Sequence, residues 1–311
     1  MRPSAGAPPV SVGLPVFDGE RYLALALDSL LSQTFTDFEL IISDNGSRDG
    51  TEEICRAYAR HDERVRYHRC VDNQGAAWNF NRVFHLSRGR YFRWAAYDDL
   101  CAPTHLERLV EALEERPPSV VLCYTACRLI DETGAVVEDY EDRLDLRDRR
   151  PGLRLVRLIQ NLRYANPAYG LIRRDALSRT RLLGSYPSAD LVLLGELALL
   201  GEFYEIPERL FFRRVHPQMS TRAHATAREV LAWFDPSQGR GRPTVAWRLL
   251  LEYSRAAWRA PIPWPERVEA LGRLLPVQLR ASHRQLLREA ITIVSAPLGY
   301  ALARLSARAT R

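Results

Sequence analysis

The chain of 311 residues contains no lysine, so all 44 of its basic residues other than histidine are arginine. Such uniformity is typical of a biased genome base composition, and we do not interpret it as arginine-specific recognition. The chain also lacks a run of about 18 uninterrupted apolar residues, the usual minimum for a membrane-spanning helix. Its first ten residues, MRPSAGAPPV, contain no apolar stretch typical of a signal peptide. We therefore expect a cytoplasmic protein.

Cysteine pairs with metal-binding or redox spacing are also missing. The number of cysteines, five, is odd, and no two of them form a C-x-x-C pair. This pattern favours reduced, buried thiols over disulfides or a zinc site. The five are Cys55, Cys70, Cys101, Cys123 and Cys127.

Composition and charge place the chain among soluble globular proteins. Apolar residues make up 46% and charged residues 26% of the sequence, which is ordinary for that class. The length fits one large domain with an appendage. Residues 240–311 hold 13 Arg and 4 Glu, whereas the remaining chain holds 31 Arg and 34 acidic residues. The net charge of +6 therefore originates in the C-terminal part.

Strand-like apolar runs alternate with helical patterns through the first 130 residues. The predicted strands include VSVGLPV, FELIIS, RVRYHR and YFRWAA, and helices are predicted at about 20–33, 51–60 and 76–87 and from Pro103. A hairpin around DETG follows. Such alternation predicts an α/β fold with a mainly parallel, mixed central sheet flanked by helices, plus a helical C-terminal extension.

Polar residues follow three of these strands. In open α/β sheets, ligands bind outside the carboxyl ends of the strands, where this sequence places Asp18, Asp44, Asn45, Asp98 and Asp99. The first strand is followed by no G-x-G-x-x-G turn, which disfavours a dehydrogenase. Turn and cap preferences alone explain SDNGSRDGT. Asp44, at the strand end, is also suited to accept hydrogen bonds from a ribose or a base.

The adjacent carboxylates Asp98 and Asp99 end the strand YFRWAA. They repel each other unless a cation offsets their charge, and a divalent ion that also binds diphosphate oxygens supplies this match. A solvated turn or a helix cap is the structural alternative. The pair thus favours a metal that bridges the protein and a nucleotide.

Three ordered segments resemble the family 2 inverting glycosyltransferases of GT-A fold. They are SVGLPVFDGERYLALALDSLLSQTFTDFELIISDNGSRDGTEEI, NQGAAWNFNRVFHLSRGRYFRWAAYDDL and DLVLLGELALLGEFYEIPERLFFRRVHPQMS. The match covers about residues 10–221, some two thirds of the chain. The resemblance implies metal-dependent transfer of a hexosyl unit from a nucleotide-diphosphate sugar donor to a glycan or lipid-linked acceptor, in cell-surface polysaccharide or glycolipid assembly.

The resemblance also implies roles for individual residues. The nucleotide sugar is expected near Pro15, Val16, Asp18, Asp44 and Asp98, with Asp44 toward the base and Asp98 toward the ribose or sugar. Divalent metal, Mg or Mn, is expected on Asp99 and His216. The Q-x-x-R-W element of processive members is missing, which implies the addition of one sugar at a time.

Asp190 falls at the position of the catalytic base, which would take the proton of the acceptor hydroxyl. A structural interpretation competes, because Asp190 precedes an apolar helix and is suited to oppose its dipole. Glu196 on the same helix is an alternative base, and His216 by itself resembles an ordinary strand-end histidine. Trp78 and Trp94 are suited to stack on a sugar, although packing residues are the simpler interpretation.

We expect three regions: an N-terminal tail, 1–9; a GT-A glycosyltransferase domain, 10–225; and a basic helical region, 226–311. This last region either binds an anionic membrane surface, giving peripheral attachment at the inner face of the cell membrane, or packs on the catalytic domain. We expect no nucleic-acid partner, because no recognised motif accompanies the charge. A non-catalytic nucleotide-sugar-binding or membrane-docked assembly protein on the same fold, with Asp190 only a cap, is the alternative function.

Overall fold

The computed structural model describes residues 6–219, 226–238 and 244–309. Nine strands form one sheet in the order β3-β2-β1-β4-β8-β6-β9-β5, with β7 paired to β6. Their bounds are β1 Val10–Val16, β2 Phe38–Asp44, β3 Val65–Arg69, β4 Tyr91–Trp94, β5 Leu100–Cys101, β6 Val120–Ile130, β7 Val136–Tyr140, β8 Leu171–Arg173 and β9 Glu202–Arg214.

Ten α-helices surround the sheet in the part of the chain that the structure describes. Two short 3-10 turns, Asn166–Tyr169 and Pro236–Gln238, lie between them. The α-helices are α1 Glu20–Leu31, α2 Thr51–His61, α3 Ala76–Leu86, α4 His105–Glu115, α5 Pro151–Asn161, α6 Arg174–Ser178, α7 Ala189–Leu200, α8 Ala227–Phe234, α9 Val245–Arg259 and α10 Trp264–Ala309.

The first half of the sheet is parallel and buried. β1 lies between β2 and β4 and is parallel to both, and β3 continues the parallel order beyond β2. All seven residues of β1 and all seven of β2 are buried, as expected for strands covered by helices on both faces. The mainly parallel, mixed sheet predicted from the sequence is confirmed.

The second half of the sheet is mixed. β8 is antiparallel to both β4 and β6, whereas β6 and β9 run parallel. The end of β9 also pairs antiparallel with β5, so that Leu100 lies opposite Phe212. This pairing brings the loop after β4 next to the loop after β9. Two segments more than 100 residues apart in sequence thus meet at one edge of the sheet.

Most predicted elements are confirmed, with small shifts at their ends. The helix expected from Pro103 begins instead at His105, with Thr104 at the N-cap. The predicted hairpin is formed by β6 and β7, but β6 is much longer than its share of the hairpin and also pairs with β8 and β9. The domain boundary placed at residue 225 lies outside the described residues.

The C-terminal helices pack against helices of the preceding part of the chain. α10 contacts α5 and α9, and α9 contacts α7. The Tyr253 hydroxyl donates to the backbone oxygen of Leu191 at 3.1 Å, and a Cβ added at Gly195 would lie 2.6 Å from the Tyr253 ring. Glu252, 2% exposed, accepts from Arg181 at 2.6 Å. The region 244–291 is therefore part of the packed structure.

α7 depends on this packing because, apart from Asp190 and Glu196, it is apolar around its whole circumference. Nine of its twelve residues are buried, and α5 and α9 supply two of its covering surfaces. A helix that is hydrophobic on all sides is stable in water only when it is enclosed. Across the helices that the structure describes, none is both long enough and apolar enough to cross a membrane.

Candidate active site

A cavity of about 730 Å³ opens at the carboxyl ends of β1, β2 and β4. We call it the strand-end cavity. Its size lies within the usual range for ligand pockets, and its position is the one that open α/β sheets favour for ligands. The predicted residues Val16, Asp18, Asp98 and His216 line it, together with residues that the sequence did not single out, among them Tyr22, Asn73, Asn79 and Tyr97.

The loops after β1 and β2 are tied together at this cavity. Asp18 has a left-handed backbone, with φ of 48°, and its Oδ1 accepts from the backbone N–H of Arg48 at 2.8 Å. In return, the backbone N–H of Asp18 donates to Ser47 Oγ at 2.9 Å. Aspartate tolerates this conformation better than most residues because its short side chain bonds locally. The two loops therefore form one rigid wall.

Asp44 is fully buried below that wall, and neither Asp44 nor Pro15 lines the cavity. Its Oδ1 accepts from the backbone N–H of Ser47 at 2.8 Å, and its Oδ2 accepts from the Tyr67 hydroxyl at 2.7 Å. Arg69 Nε lies 3.3 Å from the same Oδ2. Asp44 thus holds the loop in shape, and its contact with a nucleotide base stays a prediction.

Asp98 and His216 meet across the β5–β9 pairing. Asp98 Oδ2 lies 2.9 Å from His216 Nε2, and both side chains line the strand-end cavity. Asp99 lies behind them, and its Oδ1 accepts from the backbone N–H of Arg214 at 2.8 Å. The Arg214 guanidinium in turn donates to the backbone oxygen of Asp98 at 2.9 Å. The three predicted residues therefore form one cluster, with Asp98 and His216 facing the cavity.

The electrostatics of this cluster suit a cation. Burial, followed by the neighbouring Asp98 carboxylate, raises the pKa of Asp99 well above its ordinary value. His216 is 1% exposed, and its Nδ1 has no hydrogen-bond partner among the described residues. An orphaned ring nitrogen and two close carboxylates are donors that divalent ions accept.

The protein groups do not form a complete ion site by themselves. Across the described residues, no three His, Cys, Asp or Glu side chains are grouped as a ready metal site. Magnesium usually binds through one or two carboxylates together with phosphate oxygens of a substrate. An ion at this cluster would therefore need further oxygen ligands from a bound molecule.

A second cavity, of about 280 Å³, adjoins the first. We call it the side cavity. It shares Ala76, Phe80, Tyr169 and Trp233 with the strand-end cavity, and Asp190 lies in its wall. Burial raises the pKa of Tyr169, the Arg213 guanidinium acts against this, and the carboxylates of Asp99, Asp98 and Asp190 raise it further. Tyr169 thus lies between the paired carboxylates and Asp190.

Asp190 occupies the first turn of α7, but it is not the N-cap residue. Ser188 holds that position, with φ of 63°, and no side chain caps the helix. Burial raises the pKa of Asp190, while its own N–H, that of Leu191 and the Arg213 guanidinium act in the opposite direction. A carboxyl in a cavity with a raised pKa suits proton transfer.

The alternative base Glu196 points elsewhere. It is 9% exposed, and its oxygens accept from the backbone N–H of Arg181 at 2.7 Å and from Arg181 Nε at 2.5 Å. It lines neither of the two cavities described above. Glu196 therefore holds α7 in place, which leaves Asp190 as the carboxylate of α7 that faces the side cavity or the strand-end cavity.

The two tryptophans have different environments. Trp94 is 1% exposed, donates from Nε1 to the backbone oxygen of Phe80 at 2.9 Å and lines the side cavity. Trp78 is 41% exposed and lies under the Arg82 guanidinium. Trp94 is thus mainly a packing residue with one edge on the side cavity, and Trp78 is a surface residue.

A polar chain behind the side cavity was missed by the sequence analysis. Arg213 Nη1 donates to Asn166 Oδ1 at 2.8 Å, and Asn166 Nδ2 donates to both oxygens of Asp142, at 3.2 and 3.1 Å. Burial raises the pKa of Asp142 to about 7. These residues come from three separate segments, so no local sequence pattern joins them. Arg213 was visible only as one of two adjacent arginines ahead of His216.

Comparison with known proteins adds a family match. The model of glycosyl transferase family 2 matches residues 11–179, which is more than half of the chain. The chain is 32% identical over 132 residues to an uncharacterized glycosyltransferase of Rickettsia typhi, covering 42% of this chain and 40% of that protein. It is 31% identical over 133 residues to the putative teichuronic acid biosynthesis glycosyltransferase TuaG of Bacillus subtilis, covering 43% and 52%. The matched segments thus span about half or less of these relatives.

Solved structures share the fold at low sequence identity. TarS of S. aureus in complex with UDP-GlcNAc matches with a TM-score of 0.64 at 13% identity, over 92% of this chain and 81% of that one. The mannosyltransferase PcManGT of Pyrobaculum calidifontis, in complex with GDP-Man and Mn²⁺, matches with a TM-score of 0.55 at 17% identity, over 99% and 82%. These likenesses establish the GT-A fold that the sequence predicted.

Proposed function

The chain belongs to glycosyl transferase family 2, and from that membership we propose that it transfers one sugar from a nucleotide-diphosphate sugar to a hydroxyl of a glycan or lipid-linked acceptor. One observation carries the proposal. The cavity that holds Asp98 and His216 adjoins the cavity that holds Asp190. This adjacency supports a donor site beside a general base, which is the arrangement that transfer to a hydroxyl requires.

The nucleotide sugar occupies the strand-end cavity in this proposal. Val16, Asp18 and the loop held by Asp44 bound the nucleotide end, and Asp98 lies toward the ribose or the sugar. The hydrogen bonds that join the loops after β1 and β2 support this role, because a wall fixed in advance loses little conformational freedom on binding. Pro15 contributes through the buried strand β1 that carries the wall.

Asp190 removes the proton of the acceptor hydroxyl while that oxygen attacks the anomeric carbon. The new glycosidic bond forms as the bond to the diphosphate breaks, and the proton stays on the Asp190 carboxylate. Attack from the face opposite the leaving group inverts the anomeric configuration, and no covalent enzyme intermediate is needed. The enzyme is thus an inverting hexosyltransferase, and it adds one sugar per cycle.

Asp98, Asp99 and His216 would hold a magnesium or manganese ion, and the diphosphate of the donor would supply further oxygen ligands. A divalent ion at this place would offset the negative charge that develops on the departing diphosphate. The contact of Asp98 with His216 and the unpartnered Nδ1 of His216 support the assignment. So does the Mn²⁺ in the complex of the related mannosyltransferase fold.

The acceptor belongs to cell-surface polysaccharide or glycolipid assembly. The name of the teichuronic acid relative supports this context. We place the enzyme in the cytoplasm, where nucleotide sugars are the donors, with its acceptor presented at the inner face of the cell membrane.

Membrane attachment through α9 and α10 completes the proposal. Trp247, Leu251 and Trp258 lie on one face of α9, 37%, 49% and 53% exposed, and the Trp258 ring lies 5.0 Å from that of Trp264 on α10. Exposed aromatic residues beside arginines are typical of surfaces that lie on anionic lipid.

We expect the protein to co-sediment with vesicles of phosphatidylglycerol and not with vesicles of phosphatidylcholine. Equal sedimentation with both, or with neither, would contradict the attachment.

A nucleotide panel tests the donor site. A nucleoside diphosphate that binds the folded state at about 100 times its Kd stabilises the protein by about 2.7 kcal/mol. We expect a single diphosphate, tested with manganese, to raise the unfolding midpoint, and the corresponding monophosphate to raise it less. If no nucleotide shifts the midpoint with or without manganese, the proposed function loses its basis.

A further inference from the structure

The side cavity carries a positive charge that the transfer of a sugar to a neutral hydroxyl does not require. Two arginines line it, Arg163 at the exposed rim and Arg213 deeper in the wall. Among the described residues, neither guanidinium has a carboxylate oxygen within the 4 Å of an ion pair. The only carboxylate in the lining is that of Asp190.

We propose that the side cavity binds an anionic group of the acceptor, a carboxylate or a phosphate, on the Arg213 guanidinium, with Arg163 at its rim. The proposal rests on the proposed function, because it takes Asp190 as the residue that meets the acceptor hydroxyl. It adds a class of acceptor: a sugar that carries a negative charge close to the hydroxyl that is glycosylated.

Arg213 is held in a fixed orientation, as a binding residue requires. Its Nη1 donates to Asn166 Oδ1 at 2.8 Å, and Asn166 is itself anchored by its amide nitrogen on Asp142. On its other side the guanidinium lies 4.7 Å from the centre of the Tyr164 ring. A planar fork fixed from two sides loses little side-chain entropy when it pairs with a carboxylate or a phosphate.

The other charges near Arg213 leave room for an anion. The carboxylates of Asp99 and Asp98 raise its pKa, although the desolvation of the guanidinium acts against them. Both of these carboxylates belong to the strand-end cavity cluster, and Arg213 does not line that cavity. Their charge is the charge that a divalent ion would offset in the donor complex. With that charge offset, the side cavity presents two guanidiniums against the single carboxylate of Asp190.

The rest of the side cavity fits a sugar ring. Phe80, Trp94, Tyr164 and Trp233 line it together with the two arginines. Aromatic faces accept the apolar face of a sugar, and a guanidinium binds the planar oxygens of a carboxylate or the tetrahedral oxygens of a phosphate. A volume of about 280 Å³ is small for a ligand pocket, so it suits one charged ring rather than a long glycan.

Binding of three simple probes tests the proposal. We would measure methyl glucuronide as the carboxylate, glucose 6-phosphate as the phosphate and methyl glucoside as the neutral ring. Ligand-detected nuclear magnetic resonance suits weak binding, and each probe is measured with and without manganese and a saturating nucleoside diphosphate. We expect at least one charged probe to bind about tenfold more tightly than the neutral one, and less so at high salt. The charged probe that binds more tightly shows whether the anionic group is a carboxylate or a phosphate.

Three variants locate the effect. Arg213→Gln should abolish the preference for the charged probe and leave the affinity for methyl glucoside unchanged, and Arg213→Lys should retain part of the preference. Arg60→Gln removes the same charge from the exposed end of α2 and should change nothing. Arg163→Gln should reduce the preference less than Arg213→Gln does, because Arg163 is more exposed. An unchanged unfolding midpoint in the absence of ligand shows that each variant is folded.

Each contrary result has a distinct meaning. Equal binding of charged and neutral probes, while nucleotides still bind, would overturn the anion subsite and leave the proposed function standing. Weaker nucleotide binding in Arg213→Gln, with the charged-probe preference intact, would assign Arg213 to the donor and also overturn the subsite. A charged-probe preference that depends on Arg213 in a protein that binds no nucleotide would support the subsite and contradict the proposed function.

Discussion

Replacement of Asp190 by asparagine should reduce the rate of sugar transfer by roughly 10²- to 10⁴-fold, the usual contribution of a general base. Asparagine has nearly the same shape but takes up no proton, so the donor site should be unaffected. The midpoint shift produced by the nucleoside diphosphate and manganese should therefore stay as in the wild type. The rate is measured with the donor that the nucleotide panel identifies.

The same variant separates catalysis from capping by its effect on stability. Burial raises the pKa of Asp190, so the unfolded chain releases this proton more readily than the folded one. The ionised carboxylate then costs stability as pH rises above its ordinary pKa of 3.8. Asp190→Asn should keep or raise the unfolding midpoint at pH 8. If Asp190 only opposed the helix dipole, its replacement would reduce the free energy of unfolding by about 0.3–1 kcal/mol and so lower the midpoint.

A matched control is available in α6. Asp175 is also an acidic residue in the first turn of a helix, but it is exposed. Asp175→Asn should leave the transfer rate unchanged. The pH profile adds a second check, because the rate should rise with pH through a pKa above that of an ordinary aspartate. Full activity in Asp190→Asn would assign the proton transfer to another group, whereas no transfer by the wild type with the identified donor would favour the non-catalytic binding protein.

The largest effect on ligand binding is expected at the Asp98, Asp99 and His216 cluster. Asp98→Asn, Asp99→Asn and His216→Gln should each remove most of the manganese-dependent rise in midpoint that the nucleoside diphosphate produces. The reason is that each change removes one candidate ligand of the ion. Asp99→Asn keeps an oxygen that can accept from the Arg214 N–H. A smaller manganese effect in this variant would therefore not result from misfolding. The measurement is the midpoint with manganese minus the midpoint with a chelator.

The control for this series is Asp139→Asn on the surface of β7. That carboxylate pairs with Arg128 at 2.9 Å and with Arg209 at 3.5 Å, and it lines neither cavity. Its removal should leave the manganese effect intact. A manganese-dependent shift that survives in all three cluster variants would place the ion elsewhere and would remove these residues from the proposed mechanism.

The sequence is informative where structure is decided locally. The apolar runs of β1 and β2 and the start of α1 at Glu20 follow from short-range patterns, and the fold followed from ordered motifs. The contact between Asp98 and His216 is different in kind. It depends on the pairing of β5 with the end of β9, and long-range strand pairing leaves no trace in the neighbouring residues. The family resemblance predicted His216 beside Asp99, and the direct contact of His216 with Asp98 was not predicted.

The polar chain behind the side cavity was even less predictable from the sequence. Asp142 and Asn166 follow no periodic pattern, and each resembles an ordinary loop residue. Their structural role is evident only in the folded chain, where β9 places Arg213 between the Asn166 amide and the Tyr164 ring. Buried polar groups are satisfied by partners from distant segments, so their network is a property of the folded chain.

The enclosure of α7 has a consequence for handling this protein. A chain cut after residue 219 would retain every strand and both cavity-forming loops, yet it would lose the Tyr253 ring that fills the space beside Gly195. One side of an almost wholly apolar helix would then face water. Exposed apolar surfaces of this kind drive aggregation. The shortened chain should therefore accumulate as insoluble material, although Asp98, Asp99, Asp190 and His216 would all be present in it.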